Sequence, residues 1–204
     1  VMLLAYALSP ALLLLANVIN APIEAAVRRW YLNDALKILR SCPNLTVIGI
    51  TGSYGKTSVK YFLNEILKQR FNVLMTPGNY NTPMGVVKTV RSSLRGYHEI
   101  FICEMGARRV GEIKELCDIA SPKYGIVTSV GPQHLETFKS IDNIIKTKLE
   151  LANNLQPGGA AFINADNEYL RDNMPAGAVT YGTREDAAYS AVLKSVSSSG
   201  TQFC

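Results

Sequence analysis

From residue 45 onward the chain alternates between short apolar runs and stretches with apolar residues at helical spacing. Residues 45–50 form a β-branched run that ends at Thr51-Gly52, which predicts a strand entering a turn. Val59, Phe62, Leu63, Ile66 and Leu67 then recur as a helical stripe. Residues 71–75 predict a strand, 83–94 a helix, 99–103 a strand and 110–119 a helix. Residues 124–130 predict a strand, 141–155 a helix and 160–164 a strand. Strands alternating with helices imply βαβ units and a parallel sheet with helices on both faces. Pro157-Gly158-Gly159 and Pro175-Ala176-Gly177 read as turns. The tail from Ala187 alternates weakly through Ser195–Gly200 and predicts a strand pair.

The first 44 residues follow another pattern. No charged residue precedes Glu24, and residues 1–16 are apolar except for Ser9 and Pro10. Spanning a bilayer takes about 20 apolar residues. Ile23, Val27, Tyr31, Ala35 and Leu39 recur at helical spacing among Arg28, Arg29, Lys37 and Arg40. A basic segment beside an apolar one marks the cytoplasmic side of a membrane, and Trp30 and Tyr31 suit the interface. Residues 1–44 are therefore expected to be a hydrophobic and basic helical segment attached to a membrane, and 45–204 a separate α/β domain. A buried helical hairpin broken at Pro10 is the soluble alternative.

Net charge is +5 over 204 residues. Four basic residues against Asp34 put +3 between Arg28 and Arg40, while three basic against five acidic residues give −2 beyond residue 150. Without a recognition motif the basic patch does not indicate nucleic acid. Cys42, Cys103, Cys117 and Cys204 have no regular spacing, so neither a disulfide scaffold nor a zinc site is expected. With 48% hydrophobic and 18% charged residues the chain is not disordered. A start at Val1 and a stop at Cys204 inside a new segment suggest a piece of a longer protein.

The sharpest motif is Thr51-Gly52-Ser53-Tyr54-Gly55-Lys56-Thr57-Ser58, between a predicted strand and a predicted helix. Glycines allow a tight turn whose backbone N–H groups face phosphate oxygens, and the helix N-terminus adds its dipole. Lys56 would reach the β/γ-phosphates of ATP and Thr57 would hold Mg²⁺. Gly52 and Gly55 are separated by two residues rather than four before the Gly-Lys, so this is a shortened form of the loop. The fold class is thus α/β, a P-loop NTPase-like parallel sheet preceded by a hydrophobic helix. Glu104 follows a predicted strand directly and faces the loop across the strand tips, where it would ligate Mg²⁺.

Lys148 is conspicuous on the helix 141–155. At 100° per residue it lies about 20° from Ile141, within the stripe of Ile144, Ile145, Ala152 and Leu155, whereas Lys146 lies about 140° away. A lysine centred on a buried stripe loses hydration and its pKa falls. A neutral amine can react with CO₂ to give a carbamate.

Five motifs in order carry a family resemblance: ITGSYGKTS, TPGNYNTPMGV from Thr76, EMGARRVGEI from Glu104, HLETF from His134 and KTKLEL from Lys146. Over residues 45–185 the chain resembles the central ATPase domain of the Mur ligases, which build the peptide stem of bacterial cell-wall precursors. Gly-Asn-x-Asn and Glu-x-Gly-Ala-x-x-x-Gly-Glu-Ile are similar to the D-alanyl-D-alanine-adding branch. The resemblance implies an ATP-dependent carboxylate–amine ligase with UDP-MurNAc-tripeptide and D-Ala-D-Ala as substrates. It further implies a second Mg²⁺ held by His134 and a carbamylated Lys148, and substrate contacts by Asn79 and Asn81. Residues 1–44 do not resemble the usual N-terminal UDP-binding domain, and the resemblance, ending near residue 185, does not take in the family's C-terminal amine-binding domain. Two alternatives stay open: a relative acting on a lipid-linked precursor, and a membrane-tethered ATP-binding module without ligase activity.

Overall fold

The computed structural model describes residues 2–197 and 200–204, with side chains from Ser9 onward. Val1, Ser198 and Ser199, part of the predicted apolar segment and tail, lie outside the described residues. Helix α1 (Met2–Arg40) runs through Pro10 and Pro22 without breaking, so the chain forms no hairpin at Pro10. Strand β1 (Thr46–Thr51) leads through the glycine loop into α2 (Lys56–Leu67). There follow β2 (Val73–Met75), α3 (Pro83–Ser93), β3 (Ile100–Glu104), α4 (Glu112–Ala120) and β4 (Tyr124–Val127). Next come α5 (Leu135–Phe138), α6 (Ile141–Asn153), β5 (Ala160–Asn164) and α7 (Glu168–Arg171). The chain ends in β6 (Val179–Gly182), β7 (Tyr189–Ser190), β8 (Leu193–Ser197) and β9 (Gly200–Phe203).

Seven strands form one parallel sheet in the order β2-β3-β1-β4-β5-β6-β7. β8 and β9 form the expected antiparallel pair. The chain reverses its direction of travel across the sheet around β1, between β3 and β4. Ligands of such sheets bind beyond the carboxyl ends of the strands at that point. Alternation along the strands sorts the core into two layers. Val47, Phe101, Cys103, Val127 and Ile163 face α1, α3, α4 and α6. Ile48, Ile50, Ile100 and Ile102 face α2, which contributes Val59, Leu63 and Leu67. Gly49 belongs to the first layer: a Cβ there would come within 2.8 Å of Leu151 Cδ1, so its absence lets α6 lie close to β1.

Two predicted stripes are narrower than expected. On α2, Phe62 and Ile66 are exposed, and only Val59, Leu63 and Leu67 reach the sheet. On α1, Ile23 and Val27 are exposed, whereas Ala35 is fully buried and Tyr31 and Leu39 pack against the core. The last turns of α1 are locked to α3 by Arg91. Its Nε bonds Asp34 Oδ2 at 2.6 Å, and its guanidinium lies 4.1 Å from the Tyr31 ring centre. Leu12 to Leu15, Val18 and Ile19 stand clear of the domain. Ser9–Arg40 contains a stretch long and apolar enough to cross a membrane.

Candidate active site

The predicted strand 124–130 stops at Val127 because Thr128–Gly131 turns aside to hold the glycine loop. Thr128 N donates to Thr51 O at 2.9 Å, and Ser53 N donates to Ser129 O at 2.8 Å. Thr128 Oγ1 and Ser129 Oγ both donate to Tyr54 O, at 2.6 and 3.1 Å. Tyr54 N donates back to Ser129 Oγ at 3.0 Å, and Gly131 N to Ser53 Oγ at 3.1 Å. Gly52 is forced by this packing: its φ is +152°, and a Cβ would overlap the Thr128 hydroxyl. Gly55 takes the left-handed conformation at φ 81° and opens α2 without a side-chain cap. The N–H groups of Ser53 and Tyr54 are thus engaged by the β4 exit loop. The uncapped first turn of α2, with its positive dipole end, is left to face an anion.

Lys56 folds back over the loop, its Nζ 2.8 Å from Gly52 O. Partial burial lowers its pKa, and nearby Glu104 opposes that shift. Glu104 closes β3, a fully buried strand, and is itself 1% exposed. Thr57 Oγ1 lies 3.2 and 3.1 Å from its two carboxylate oxygens. Asn81 Nδ2 donates to Glu104 Oε1 at 3.1 Å, and Thr76 Oγ1 accepts from Glu104 N at 3.1 Å. Lys60 Nζ lies 2.9 Å from Glu104 Oε2.

From this cluster a cleft of about 580 Å³ opens, lined by Lys56, Asn79, Asn81, Gly106, His134 and Lys148, with Arg28 and Arg108 among the rest of its wall. Lys148 is 2% exposed, as its place on the helical stripe predicts, and Lys146 is exposed. Burial lowers the Lys148 pKa to about 8, helped by the Lys56 charge. Its Nζ lies 6.0 Å from the Phe138 ring centre. His134 is exposed at the start of α5 in the left-handed conformation, φ 56°.

Each predicted site residue can now be placed. Gly52, Ser53, Gly55, Lys56, Thr57, Glu104 and Asn81 form one contiguous cluster. Asn79, His134 and Lys148 share its cleft. Ser58 is exposed on α2, and Tyr54, 56% exposed, lies with its ring against Gly131 outside that cleft wall. Sequence reasoning missed Lys60, Thr76, Thr128 and Ser129. Lys60 had a signal: it follows Lys56 by four and Thr57 by three residues, so it shares the helix face that meets the strand tips.

The donor set suits a hard cation. A hydroxyl and a carboxylate meet at Thr57 and Glu104, and Mg²⁺ completes such a pair with phosphate and water oxygens. Among the described residues no group of three or more His, Cys, Asp and Glu side chains forms a metal cage. The Lys148 amine becomes an oxygen ligand only after carbamylation.

Known proteins share this fold. Residues 50–204 match the model of the Mur ligase middle domain. A UDP-N-acetylmuramoyl-tripeptide--D-alanyl-D-alanine ligase of Bacillus subtilis is 34% identical over 157 residues, covering 77% of this chain and 34% of the relative. The crystal structure of a Thermotoga maritima MurF ligase in complex with ADP superposes with a TM-score of 0.70 at 34% identity, over 80% of this chain and 39% of the other. MurF from Acinetobacter baumannii gives 0.75 at 25% identity, over 86% and 41%. The chain therefore spans about a third of the length of the curated relative and some two fifths of the solved structures. With the matched model running through the glycine loop, Glu104, His134 and Lys148, the chain belongs to the Mur ligase middle-domain family.

Proposed function

We propose that this chain is the ATP-binding part of an ADP-forming carboxylate–amine ligase of peptidoglycan precursor synthesis, which joins D-Ala-D-Ala to UDP-MurNAc-tripeptide. The observation that carries the reading is the meeting of Thr57, Glu104 and Lys56 at the strand tips, above a cleft that also holds Asn79, Asn81, His134 and Lys148. ATP transfers its γ-phosphoryl group to the peptide carboxylate, giving an acyl phosphate. The amine of D-Ala-D-Ala attacks that carbonyl, releasing phosphate and forming the amide. The chain contributes positioning and charge neutralisation. The α2 N-terminus and Lys56 hold the phosphates, and Asn79 and Asn81 hold the carboxylate substrate. Thr57 and Glu104 would hold one Mg²⁺, and His134 with carbamylated Lys148 a second. Bound there, the ions neutralise charge that develops on the transferring phosphoryl oxygens. Lysine chemistry supports the carbamate: a pKa of about 8 leaves a useful share of neutral amine at cytoplasmic pH.

Membrane attachment through α1 belongs to the same proposal, placing the enzyme in the cytoplasm at the inner face of the membrane. It is supported by the exposure of Leu12 to Leu15, Val18 and Ile19 and by the basic and aromatic residues that follow. One observation favours a lipid-linked precursor as an alternative substrate. Arg28, which follows the exposed Ile23 and Val27 on α1, lines the cleft and bonds Glu115 Oε1 at 2.9 Å. An anionic lipid carrier would reach Arg28 from the membrane surface. Assaying the full-length protein for ADP release with the nucleotide-linked and the lipid-linked tripeptide, each with D-Ala-D-Ala, tests both readings. ATP turnover independent of either acceptor would leave only a tethered ATP-binding module.

A further inference from the structure

Lys60 is wholly buried and has no place in the phosphate chemistry described above. Its Nζ stands 2.9 Å from Glu104 Oε2 and 2.6 Å from Gly78 O. Glu104 is almost as buried, with its side chain 2% exposed. Stability alone is a poor reason for such a pair, because a buried ion pair is often no better than apolar residues of the same volume. The geometry offers a better one. Lys60 sits between two parts of the site that the sequence keeps far apart. One is the carboxylate at the end of β3. The other is the turn at Gly78, which leads through Asn79 and Tyr80 to Asn81, and Asn81 itself donates to Glu104 Oε1 at 3.1 Å.

We infer that Lys60 is a positioning residue that aims Glu104 at Thr57 and ties the Gly78–Asn81 turn to the nucleotide helix, so that the divalent cation and the substrate-side asparagines keep one register. This rests on Glu104 as the Mg²⁺ ligand. The competing view makes Lys60 a plain countercharge, which repels the cation. The two views predict opposite signs for its removal.

The test uses the full-length protein and Mn²⁺ as probe, with Mn²⁺ affinity read by electron paramagnetic resonance at saturating ADP. Glu104→Gln is expected to weaken Mn²⁺ binding; an unchanged affinity would remove the metal reading of Glu104 itself. Lys60→Met is expected to weaken Mn²⁺ by about tenfold or more, as loss of an outer-shell partner does. ADP affinity without metal should stay within about twofold, and amide exchange at Gly78–Asn81 should rise. If Glu104→Gln weakens Mn²⁺ binding but Lys60→Met leaves it unchanged or tightens it, the positioning role is wrong. The double variant Lys60→Met/Glu104→Gln carries no buried charge at the pair and guards against a failure of the single variant to fold. Its Mn²⁺ affinity should equal that of Glu104→Gln alone, since Lys60 acts through Glu104. A further loss in the double variant would overturn the inference.

Discussion

The Thr57 hydroxyl lies within 3.2 Å of both oxygens of Glu104, joining the first turn of α2 to the end of β3 across the sheet tips. These residues are 47 positions apart in sequence. Their meeting follows from β1 and β3 being neighbours in the sheet with Ile50 in register with Glu104. The glycine loop leaves β1 just after that register point, so its helix must begin over the carboxylate.

Replacing Lys56 with alanine is expected to leave the fold intact, since its ammonium bonds only loop carbonyls. Turnover should fall by about 10²-fold or more, the loss seen when one preorganised donor aimed at developing charge is removed. Circular dichroism together with equilibrium ATP binding checks both halves. Unchanged ATP affinity and turnover would take the phosphate role away from this lysine.

At Gly52 a smaller change should do more harm. Gly52→Ala places a methyl against the Thr128 hydroxyl at a backbone angle that side chains avoid. The expected cost is about 1–3 kcal/mol of stability, together with loss of nucleotide binding as the loop shifts from the β4 exit. Gly158→Ala is a surface control: its φ is also positive, at +75°, but nothing lies within 4 Å. Comparing melting and ATP binding of the two variants separates backbone strain from the packing at Thr128.

The alternation of strand and helix, the glycine loop and the buried lysine on α6 were all legible, because each is a local pattern. Lys148 could be read from a helical wheel alone. The network that holds the loop was not, since Thr128 and Ser129 lie more than 70 positions from the residues they bond. The sequence pattern continued β4 through these residues, and only tertiary hydrogen bonds end it at Val127. Phe62 and Ile66 misled for a related reason. The pattern does not tell which sheet residues will stand opposite each helix face.

The Lys148 site should depend on pH with a definite sign. Burial lowers the ammonium pKa to about 8, against about 10.4 in an unfolded chain. Between those values the folded state holds fewer protons than the unfolded, so stability attributable to this group rises with pH across that window. The neutral amine, and with it the capacity for carbamylation, also grows as pH rises through about 8. ¹³C NMR with labelled bicarbonate should show a carbamate signal that strengthens over that range and vanishes in Lys148→Ala. Activity lost in Lys148→Ala should return in part with a small carboxylic acid, while Lys146→Ala should be nearly silent. A bicarbonate-insensitive spectrum would remove the carbamate.

For α1, the exposed apolar positions are the ones to change. Leu14→Arg with Val18→Arg should shift the protein from the membrane fraction to the soluble one. A charge at the centre of a spanning helix costs about 2.5–3.5 kcal/mol each. ATP binding should be unaffected, because both residues stand clear of the domain. Unchanged fractionation would argue against a bilayer around this helix.

The acyl-phosphate route is tested most directly by isotope transfer in the full-length protein. Peptide substrate labelled with ¹⁸O in its terminal carboxylate is supplied with ATP and D-Ala-D-Ala. The reaction should release ADP and inorganic phosphate carrying one ¹⁸O per amide formed, because the carboxylate oxygen leaves with the phosphoryl group. Phosphate without the label, or release of AMP and pyrophosphate instead, would contradict it.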